Sequence, residues 1–263
     1  MTTKTAIQAH PAGFFKDLFT VAGRALRAIP REPESIIPAL IIPLFFFAVN
    51  TGSLSEISSF AGIDNYYAFQ LPVAIVFAVT GISRASALVT DIKSGYFDRL
   101  LMSPISRVAL LLGLMIADFA LVIALSIPVL ILGMAVGVDF ATGFLGMLAF
   151  LLISGLWGLA FTGFPYAIAL KTGNPAAVNS SFLLFFPFSF LTTSFLPIEA
   201  LSGWLATAAK YNPVTYLLDG LRSIITTGWE WASISKALLA IAIIMSISFT
   251  LAFMALKGRV SRK

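Results

Sequence analysis

The sequence predicts an all-α integral membrane protein with six transmembrane helices, and three observations lead to this fold class. Of the 263 residues, 59% are hydrophobic and only 11% are charged, and the mean hydropathy is +0.95. Soluble domains carry about 25% charged residues, so this chain has too few to cover a water-facing surface. The apolar residues also fall into runs of about 20, the length that crosses the hydrocarbon core of a bilayer.

Six apolar runs are expected to be spans, and they cover residues 35–51, 68–90, 107–136, 143–170, 176–196 and 236–256. The first run is short and contains Pro38 and Pro43, so its ends are poorly defined. The chain opens on a polar and amphipathic stretch, residues 1–34, and we expect no cleavable signal peptide there.

The lysines and arginines predict the orientation, because they are retained on the cytoplasmic side of a membrane. Of the 17, all but Lys210, Arg222 and Lys236 lie in the N-terminal segment, in the second and fourth connections with their flanks, or in the tail 257–263. We therefore expect a multi-pass protein of the cytoplasmic (inner or plasma) membrane with both termini in the cytoplasm. The position of these cations also accounts for the net charge of +5 without a nucleic-acid partner.

The N-terminal segment contains an amphipathic pattern from Phe14 to Arg31. Apolar residues recur at helical spacing, at Phe15, Leu18, Ala22, Leu26 and Ile29, with cations on the other face. This pattern predicts an interfacial helix whose apolar face lies at the acyl boundary and whose cations meet anionic headgroups. A calmodulin-like target and a targeting peptide are the alternatives.

The fifth connection, residues 197–235, is mostly apolar but too interrupted to cross, and its part 197–227 has the pattern of a helical hairpin. Two helical pieces, at 198–210 and 213–226, are separated by Asn212-Pro213. Non-helical backbone at membrane depth is tolerated where protein or a water-filled cavity surrounds it. We expect a re-entrant helical hairpin in the outer leaflet, with Trp204 and Tyr211 among its interfacial aromatic residues.

A short polar stretch, "DIKSGYFDRLLMSPISR", separates the second and third apolar runs. Ser103-Pro104 predicts a helix start, with Ser103 as the N-cap and Pro104 at the first helical position. Upstream, an apolar side is flanked by Lys93, Asp98 and Arg99; it consists of Tyr96, Phe97, Leu100 and Leu101. We expect a short amphipathic helix on the cytoplasmic face, and the alternative is a solvated loop lying on headgroups.

This stretch resembles the cytoplasmic coupling segment of ABC-2 type transporter permeases, particularly their daunorubicin-resistance-like branch. The resemblance lies in Asp91, Gly95, Asp98-Arg99-Leu100 and Pro104 followed by Arg107. Many relatives carry Glu-Arg-x-x-Gly-Thr where this chain has Asp91 to Tyr96. A second stretch, "YNPVTYLLDGLR", is similar to the Asn-Pro…Arg hallmark of the family; here the matching residues are Tyr211, Asn212, Pro213 and Arg222. With the order of the spans, the resemblance covers nearly the whole chain.

The resemblance implies a dimer of permeases, of identical or paralogous chains, with two copies of a separate ABC ATPase. Segment 91–106 is expected to enter a groove on that ATPase through Asp91, Gly95, Tyr96, Phe97, Asp98, Arg99, Leu100, Leu101 and Pro104. No G-x-x-x-x-G-K-[ST] phosphate loop occurs in the chain, so ATP and magnesium are expected on the partner. The implied activity is export of a drug, lipid or glycolipid by a chain that is not itself an enzyme.

The polar and aromatic residues of the spans are the candidates for a translocation path. A charged group within a membrane is a functional hypothesis by default. Asp118 and Arg84 lie at similar depths, and either a structural ion pair or a role in substrate entry or gating fits them. The run 176–196 adds the remaining candidates, which are Asn179, Phe182, Phe186, Phe190 and Thr193. An aromatic wall suits an amphiphilic cargo, and ordinary packing is the alternative.

Other functional classes fit the sequence less well. The chain has no cysteine and a single histidine, His10, so no metal site is expected. An exporter of lipid-linked polysaccharide shares the plan described above. An ATP-independent secondary transporter needs charged relays, for which only Asp118 and Arg84 are available. A membrane-embedded enzyme is disfavoured because no span carries a paired-carboxylate or His/Asp cluster.

Overall fold

The structure is a computed structural model that describes residues 13–31, 33–58, 62–80 and 83–261. The predictions on His10, Lys4, Arg262 and Lys263 lie outside these residues. The described chain is α-helical, as predicted, and its helices are α1 (Phe14–Ala28), α2 (Pro33–Ser58), α3 (Tyr66–Thr80), α4 (Ala85–Lys93), α5 (Tyr96–Met102), α6 (Arg107–Ala135), α7 (Gly143–Thr172), α8 (Pro175–Asn179), α9 (Ser181–Phe190), α10 (Gly203–Tyr211), α11 (Pro213–Thr226) and α12 (Trp231–Ser261).

Five helical stretches in the described residues are long and apolar enough to cross a membrane. They are Ile36–Ser53 within α2, Tyr66–Lys93 formed by α3 and α4, and the three long helices α6, α7 and α12. Each lies within a few residues of one of the expected spans. The expected span 176–196 differs, because it is divided between α8, α9 and an irregular segment from 191 to 197. Since α8 and α9 contain only five and ten residues, neither alone has the length of a span.

The long helices run between two ends of the bundle, which we name the α5 end and the α11 end. At the α11 end, the α6–α7 turn bonds to the last turn of α11 through Ala141 N–H and Ile225 O, which are 2.8 Å apart. At the α5 end, Arg259 of α12 donates from Nη1 to Leu170 O of α7 at 3.2 Å. Helix α6 ends at the α11 end and α7 and α12 end at the α5 end, so α6 packs antiparallel to both, whereas α7 and α12 run parallel to each other.

The irregular segment 191–197 contacts the start of α3, whereas α8 contacts the start of α4. Near α8, Ser86 Oγ donates to Asn179 Oδ1 at 3.0 Å. After α9, the Ser194 carbonyl accepts from Gln70 Nε2 at 3.0 Å, close to the start of α3. Gln70 lies in α3 and Ser86 in α4, so residues 175–197 contact both helices of the stretch Tyr66–Lys93.

Helix α7 lies at the centre of the bundle and is fixed by polar contacts as well as by apolar packing. Trp157 Nε1 donates to Thr80 Oγ1 of α3 at 3.0 Å, and both side chains are buried. On its other side, Ser248 Oγ of α12 donates to Ala160 O. One apolar cluster around Trp157 fills the α11 end, and a second, around Phe97, Met115 and Tyr166, fills the α5 end.

Candidate functional site

Helix α5 follows α4 directly after a tight turn at Ser94 and Gly95. Gly95 adopts φ +73°, a left-handed conformation that favours glycine, and its N–H donates to Ile92 O at 3.1 Å. Nothing lies within 4 Å of the position a Cβ would take, so the need for glycine here is conformational and not steric. The predicted short helix of the segment 91–106 therefore begins at Tyr96, immediately after this turn.

Phe97, one of the residues expected to enter a groove on the ATPase, is buried within its own chain. Its side chain is only 1% exposed and packs in the apolar cluster of the α5 end with Leu88 and Leu110. Burial within its own chain leaves Phe97 unavailable to an ATPase unless α5 leaves the bundle. Leu100 and Leu101 are half-buried against the same cluster.

The exposed surface of α5 is smaller and more polar than expected. Met102, which the sequence reasoning did not single out, is 80% exposed. Arg99 and Pro104 are exposed, whereas Asp91, Gly95, Tyr96 and Asp98 are half-buried. Since α5 presents an exposed methionine and a cation at a turn between two long helices, its surface suits contact with a partner protein.

The expected helix start at Ser103-Pro104 is wrong. Ser103 instead ends α5, with its hydroxyl donating to Leu100 O at 2.6 Å. The N-cap of α6 is Ser106, whose Oγ accepts from Ala109 N–H at 3.4 Å, and the helix begins at Arg107. Both serines precede helical residues, but Ser106 lies three residues before the amide it accepts from, as the N-cap geometry requires.

Helix α1 is attached to this region by polar contacts. The Asp17 carboxylate, which is buried, accepts from Ser106 N–H at 3.0 Å, at the positive end of the α6 dipole. Arg24 forms an ion pair with Asp91 at 2.9 Å, and its guanidinium carbon lies 4.8 Å from the centre of the Tyr96 ring. These contacts connect α1 to α4, α5 and the start of α6.

The apolar face of α1 is divided between protein and surroundings. Leu18, Val21 and Ala25 are buried, and Gly113 of α6 permits this close approach, because a Cβ there would lie 2.8 Å from Leu18 O. Phe15 and Phe19 are 70% and 65% exposed. The exposed aromatic strip is the part of α1 that remains available to lipid, so the expected interfacial face is narrower than the sequence pattern indicates.

Asp118 lies beside the interruption between α3 and α4. Its Oδ1 accepts from the backbone N–H of Arg84 at 3.1 Å, and Ser83 Oγ lies 3.4 Å from its Oδ2. The Arg84 guanidinium donates to Ala25 O, in the last turn of α1, at 2.9 Å. Asp118 is fully buried, and its carboxylate satisfies the amide of the N-cap residue of α4, which is the contact that the structural alternative requires.

Arg222 is the centre of a polar layer near the α11 end. Its Nη2 donates to the Thr193 carbonyl at 2.8 Å, its Nη1 to Thr193 Oγ1 at 3.1 Å, and its Nε to Phe69 O at 3.2 Å. The guanidinium carbon also lies 3.4 Å from the centre of the Phe69 ring. Burial lowers the pKa of Arg222 to about 9, which leaves it charged at neutral pH. One side chain therefore joins α11, α3 and the irregular segment.

Asn212 completes this layer from the turn between α10 and α11. Its Oδ1 caps α11 by accepting from Val214 N–H at 3.0 Å, and its Nδ2 donates to the carbonyls of Phe188 and Leu191 at 2.7 and 2.9 Å. The side chain thus satisfies the start of one helix and the end of another. Pro213 follows at the first helical position of α11, and Tyr211 is 84% exposed.

The residues proposed to line a path do not share one surface. Thr193 is 1% exposed and belongs to the Arg222 layer, and Asn179 is exposed near the α5 end. The rings of Phe186 and Phe190 lie together, with centroids 4.8 Å apart, and Phe77 of α3 meets Phe190 at 5.7 Å. The side chain of Phe182 lies outside the described part of the structure.

Several structurally important residues were missed by the sequence reasoning. Gln70 donates from Nε2 to the Ser194 carbonyl at 3.0 Å and to Tyr66 Oη at 2.7 Å, and all of these groups are buried. The signal was present, because an amide in an apolar run needs a partner. Asp17 gave a similar signal, because a single acidic residue in an otherwise basic amphipathic helix also indicates a specific partner, here Ser106 N–H.

Comparison with known proteins gives the family context of these features. Residues 16–226 match the ABC-2 type transporter family. The matched region includes α5, the Arg222 layer and all of the helices between α2 and α11.

Individual relatives are distant but match over most of their length. The daunorubicin resistance ABC transporter permease protein DrrB1 of Streptomyces coeruleorubidus is 26% identical over 208 residues, which cover 76% of this chain and 72% of the relative. The probable doxorubicin resistance ABC transporter permease protein DrrC of Mycobacterium tuberculosis is 22% identical, covering 78% and 75%. The putative transport permease ycf38 of Cyanophora paradoxa is 24% identical, covering 84% and 78%.

Proposed function

This chain belongs to the ABC-2 type transporter family, and we propose that it is the permease subunit of an ATP-driven exporter of hydrophobic or amphiphilic molecules. Drugs, lipids and glycolipids are the proposed cargo classes, moved out across the cytoplasmic membrane. The names of two relatives, daunorubicin and doxorubicin resistance permeases, support the drug class. Both compounds named there are amphiphilic, as the proposed cargo is.

The proposed energy source is a separate ABC ATPase, in two copies, that contacts the α5 end of a permease dimer. The observation that carries this proposal is the construction of α5: an exposed tip, Arg99 and Met102, on a helix anchored by buried Phe97. A force applied to the exposed tip is transmitted because the anchor packs into the same cluster as α4 and α6. Close-packed interiors transmit displacement and do not absorb it.

Helix α1 extends this connection. Arg24 pairs with Asp91 beside α5, and Asp17 accepts from the N-cap residue of α6. The Arg84 guanidinium in turn bonds to the last turn of α1. A movement of α5 is therefore proposed to carry α1, α4 and the start of α6 together, relative to the α11 end.

The six-crossing arrangement is also proposed. Residues 175–197 contact Ser86 at one side and Gln70 at the other, so a sixth crossing by α8, α9 and the irregular segment fits these contacts. The irregular backbone is compatible with membrane depth because Arg222, Asn212 and Gln70 satisfy its carbonyls. With six crossings, both termini lie on the α5 side, which we assign to the cytoplasm from the distribution of lysine and arginine.

The proposed path lies along the phenylalanines of α9. Phe186 and Phe190 contact Phe77, and Phe77 stacks on Phe46 of α2 at 5.9 Å between ring centres. Such a surface offers area to flat or apolar molecules. A lipid-linked glycan exporter is the alternative within the same plan, and an ATP-independent secondary transporter is a more distant one.

The test is co-purification of this chain with its ATPase from membranes that contain both. Arg99→Glu with Met102→Asp changes only exposed groups, and we expect the recovered ATPase to fall by about tenfold or more because the tip is the contact. Lys210→Glu is the matched control, since Lys210 is an exposed cation in the last turn of α10. Phe97 is unsuitable as a test residue because its replacement disturbs the core.

Either of two outcomes would contradict the proposal. If the normal chain recovers no ATPase, the proposed partner is wrong. If the doubly changed chain recovers as much ATPase as the control, the contact does not lie on α5. Equal thermal stability of the variants in detergent shows that any loss reflects binding and not unfolding.

A further inference from the structure

A cavity of about 930 Å³ lies at the periphery of the bundle, between α7, α9 and α12. Its apolar walls include Phe161 of α7, Phe188 of α9 and Ile244 of α12, and its cationic rim consists of Lys171 and Arg259. This cavity is separate from α5 and from the Arg222 layer. The proposed path uses Phe186 and Phe190 of α9, and neither of these lines the cavity.

The cavity is polar at one end and apolar along the rest of its length. Lys171 and Arg259 lie in the last turns of α7 and α12 at the α5 end, with Thr172 and Ser181 beside them. Ile244 lies 15 residues before Arg259 on α12, which is about 22 Å of helix. That length exceeds one leaflet of the hydrocarbon core, about 15 Å, so an acyl chain fits along it.

Arg259 is poised to bind an anion. Its Nη1 donates to Leu170 O at 3.2 Å, which fixes the guanidinium at the end of α7. Its Nε is buried and has no hydrogen-bond partner among the described residues. A buried donor without an acceptor costs free energy, so an anion that accepts a hydrogen bond from this Nε–H would be stabilising.

The charges of the lining determine which ligand fits. Lys171 is exposed beside Arg259, and among the described residues no aspartate or glutamate lines the cavity. A guanidinium and an ammonium together recognise a phosphate, the first through its fixed fork and the second as a point charge. From this geometry we infer that the cavity binds an anionic phospholipid of the surrounding membrane, with its phosphate on Arg259 and Lys171 and an acyl chain toward Phe161 and Ile244.

The test offers the purified chain equal amounts of phosphatidylglycerol and phosphatidylcholine in mixed micelles and counts retained lipids by native mass spectrometry. We expect phosphatidylglycerol to be retained preferentially by the normal chain. Each cation near an anionic headgroup contributes about fivefold in affinity, so Arg259→Gln and Lys171→Gln each reduce retention by that factor. Lys257→Gln is the matched control, an exposed cation on the same helix outside the cavity lining.

A second variant separates the acyl part of the site from the charge. Ala255→Trp fills the apolar wall, and we expect it to reduce retention of both lipids to a similar extent. Arg259→Gln is expected to reduce retention of phosphatidylglycerol more than that of phosphatidylcholine, whose phosphate is offset by its own cation. Equal retention of both lipids by the normal chain overturns the inference, as does an equal loss with Lys257→Gln. Met254 lines the same cavity. A disulfide between two chains carrying Met254→Cys, formed without bound lipid, shows instead that a second copy covers it.

Discussion

At the scale of single residues, Asp118 is the buried charge at which a structural role and a gating role predict different results. A carboxylate deep in a membrane protein invites a gating role, yet its partners here are the amide of Arg84 and the hydroxyl of Ser83. Those groups begin α4 after the interruption that follows α3. The carboxylate therefore replaces the hydrogen bonds that a continuous helix would have supplied.

Two replacements of Asp118 distinguish structure from gating. Asp118→Asn keeps an acceptor for Arg84 N–H, whereas Asp118→Ala leaves that buried amide unpaired at a cost of about 1–3 kcal/mol. We expect Asp118→Ala to lower the melting temperature in detergent more than Asp118→Asn does. Transport per folded molecule should be unchanged in Asp118→Asn, and its loss at normal stability would establish the gating role instead.

Arg222 is a similar case in which one side chain satisfies several carbonyls. Lysine in its place keeps the charge but cannot donate to Phe69 O, Thr193 O and Thr193 Oγ1 together, because it lacks the planar fork. We expect Arg222→Lys to destabilise the folded chain by about 2 kcal/mol or more, measured by thermal unfolding in detergent. Lys210→Ala provides the control, and equal stability of both variants would show that the layer contributes little.

At the scale of helices, the sequence predicted the length and polarity of the apolar runs better than the positions at which a helix is interrupted. The apolar runs at 107–136 and 143–170 correspond to α6 and α7 within two residues, since a continuous apolar run is a local property. The division of 68–90 into α3 and α4, and of 176–196 into α8, α9 and an irregular segment, depends on partners elsewhere in the chain. Asp118 and Asn212 supply those partners, and a single run does not reveal them.

The candidate coupling helix illustrates the same limit. The polar residues around Gly95 predicted a short helix between two spans. They did not predict which side chains of that helix are buried and which are exposed. The sequence places Tyr96, Phe97, Leu100 and Leu101 on one apolar side, and only packing against α4 and α6 identifies Phe97 as the buried one. Met102 was overlooked because nothing in the sequence distinguishes an exposed apolar side chain from a buried one.

The attachment of α1 to α6 makes a prediction about Gly113. A Cβ at this position would lie 2.8 Å from Leu18 O and 2.9 Å from Val21 Cβ, so Gly113→Ala must displace α1. Overpacking of this kind costs about 1–3 kcal/mol, and we expect a lower melting temperature and weaker coupling to the ATPase. Gly23→Ala, on α1 with nothing within 4 Å, should be neutral or stabilising. Equal behaviour of the two variants would mean that α1 is not held against α6.

At the scale of the whole molecule, the number of crossings is open to direct measurement. The chain has no cysteine, so single cysteines introduced at the exposed positions Ala176 and Ser202 report the two sides of residues 175–197. If this segment crosses, a membrane-impermeant thiol reagent labels Ala176→Cys only from the cytoplasmic side and Ser202→Cys only from outside. Lys257→Cys, near the C-terminus, serves as the cytoplasmic reference. Labelling of both positions from one side would leave five crossings.

The central claim is that this permease is driven by ATP through a separate subunit. The most direct measurement uses inside-out vesicles that contain the chain and its ATPase, and follows the uptake of a fluorescent anthracycline such as daunorubicin. The account predicts uptake that requires hydrolysable ATP, survives a protonophore and is lost with Arg99→Glu and Met102→Asp. Uptake that proceeds without ATP and collapses with the protonophore would contradict it and identify an ion-driven transporter.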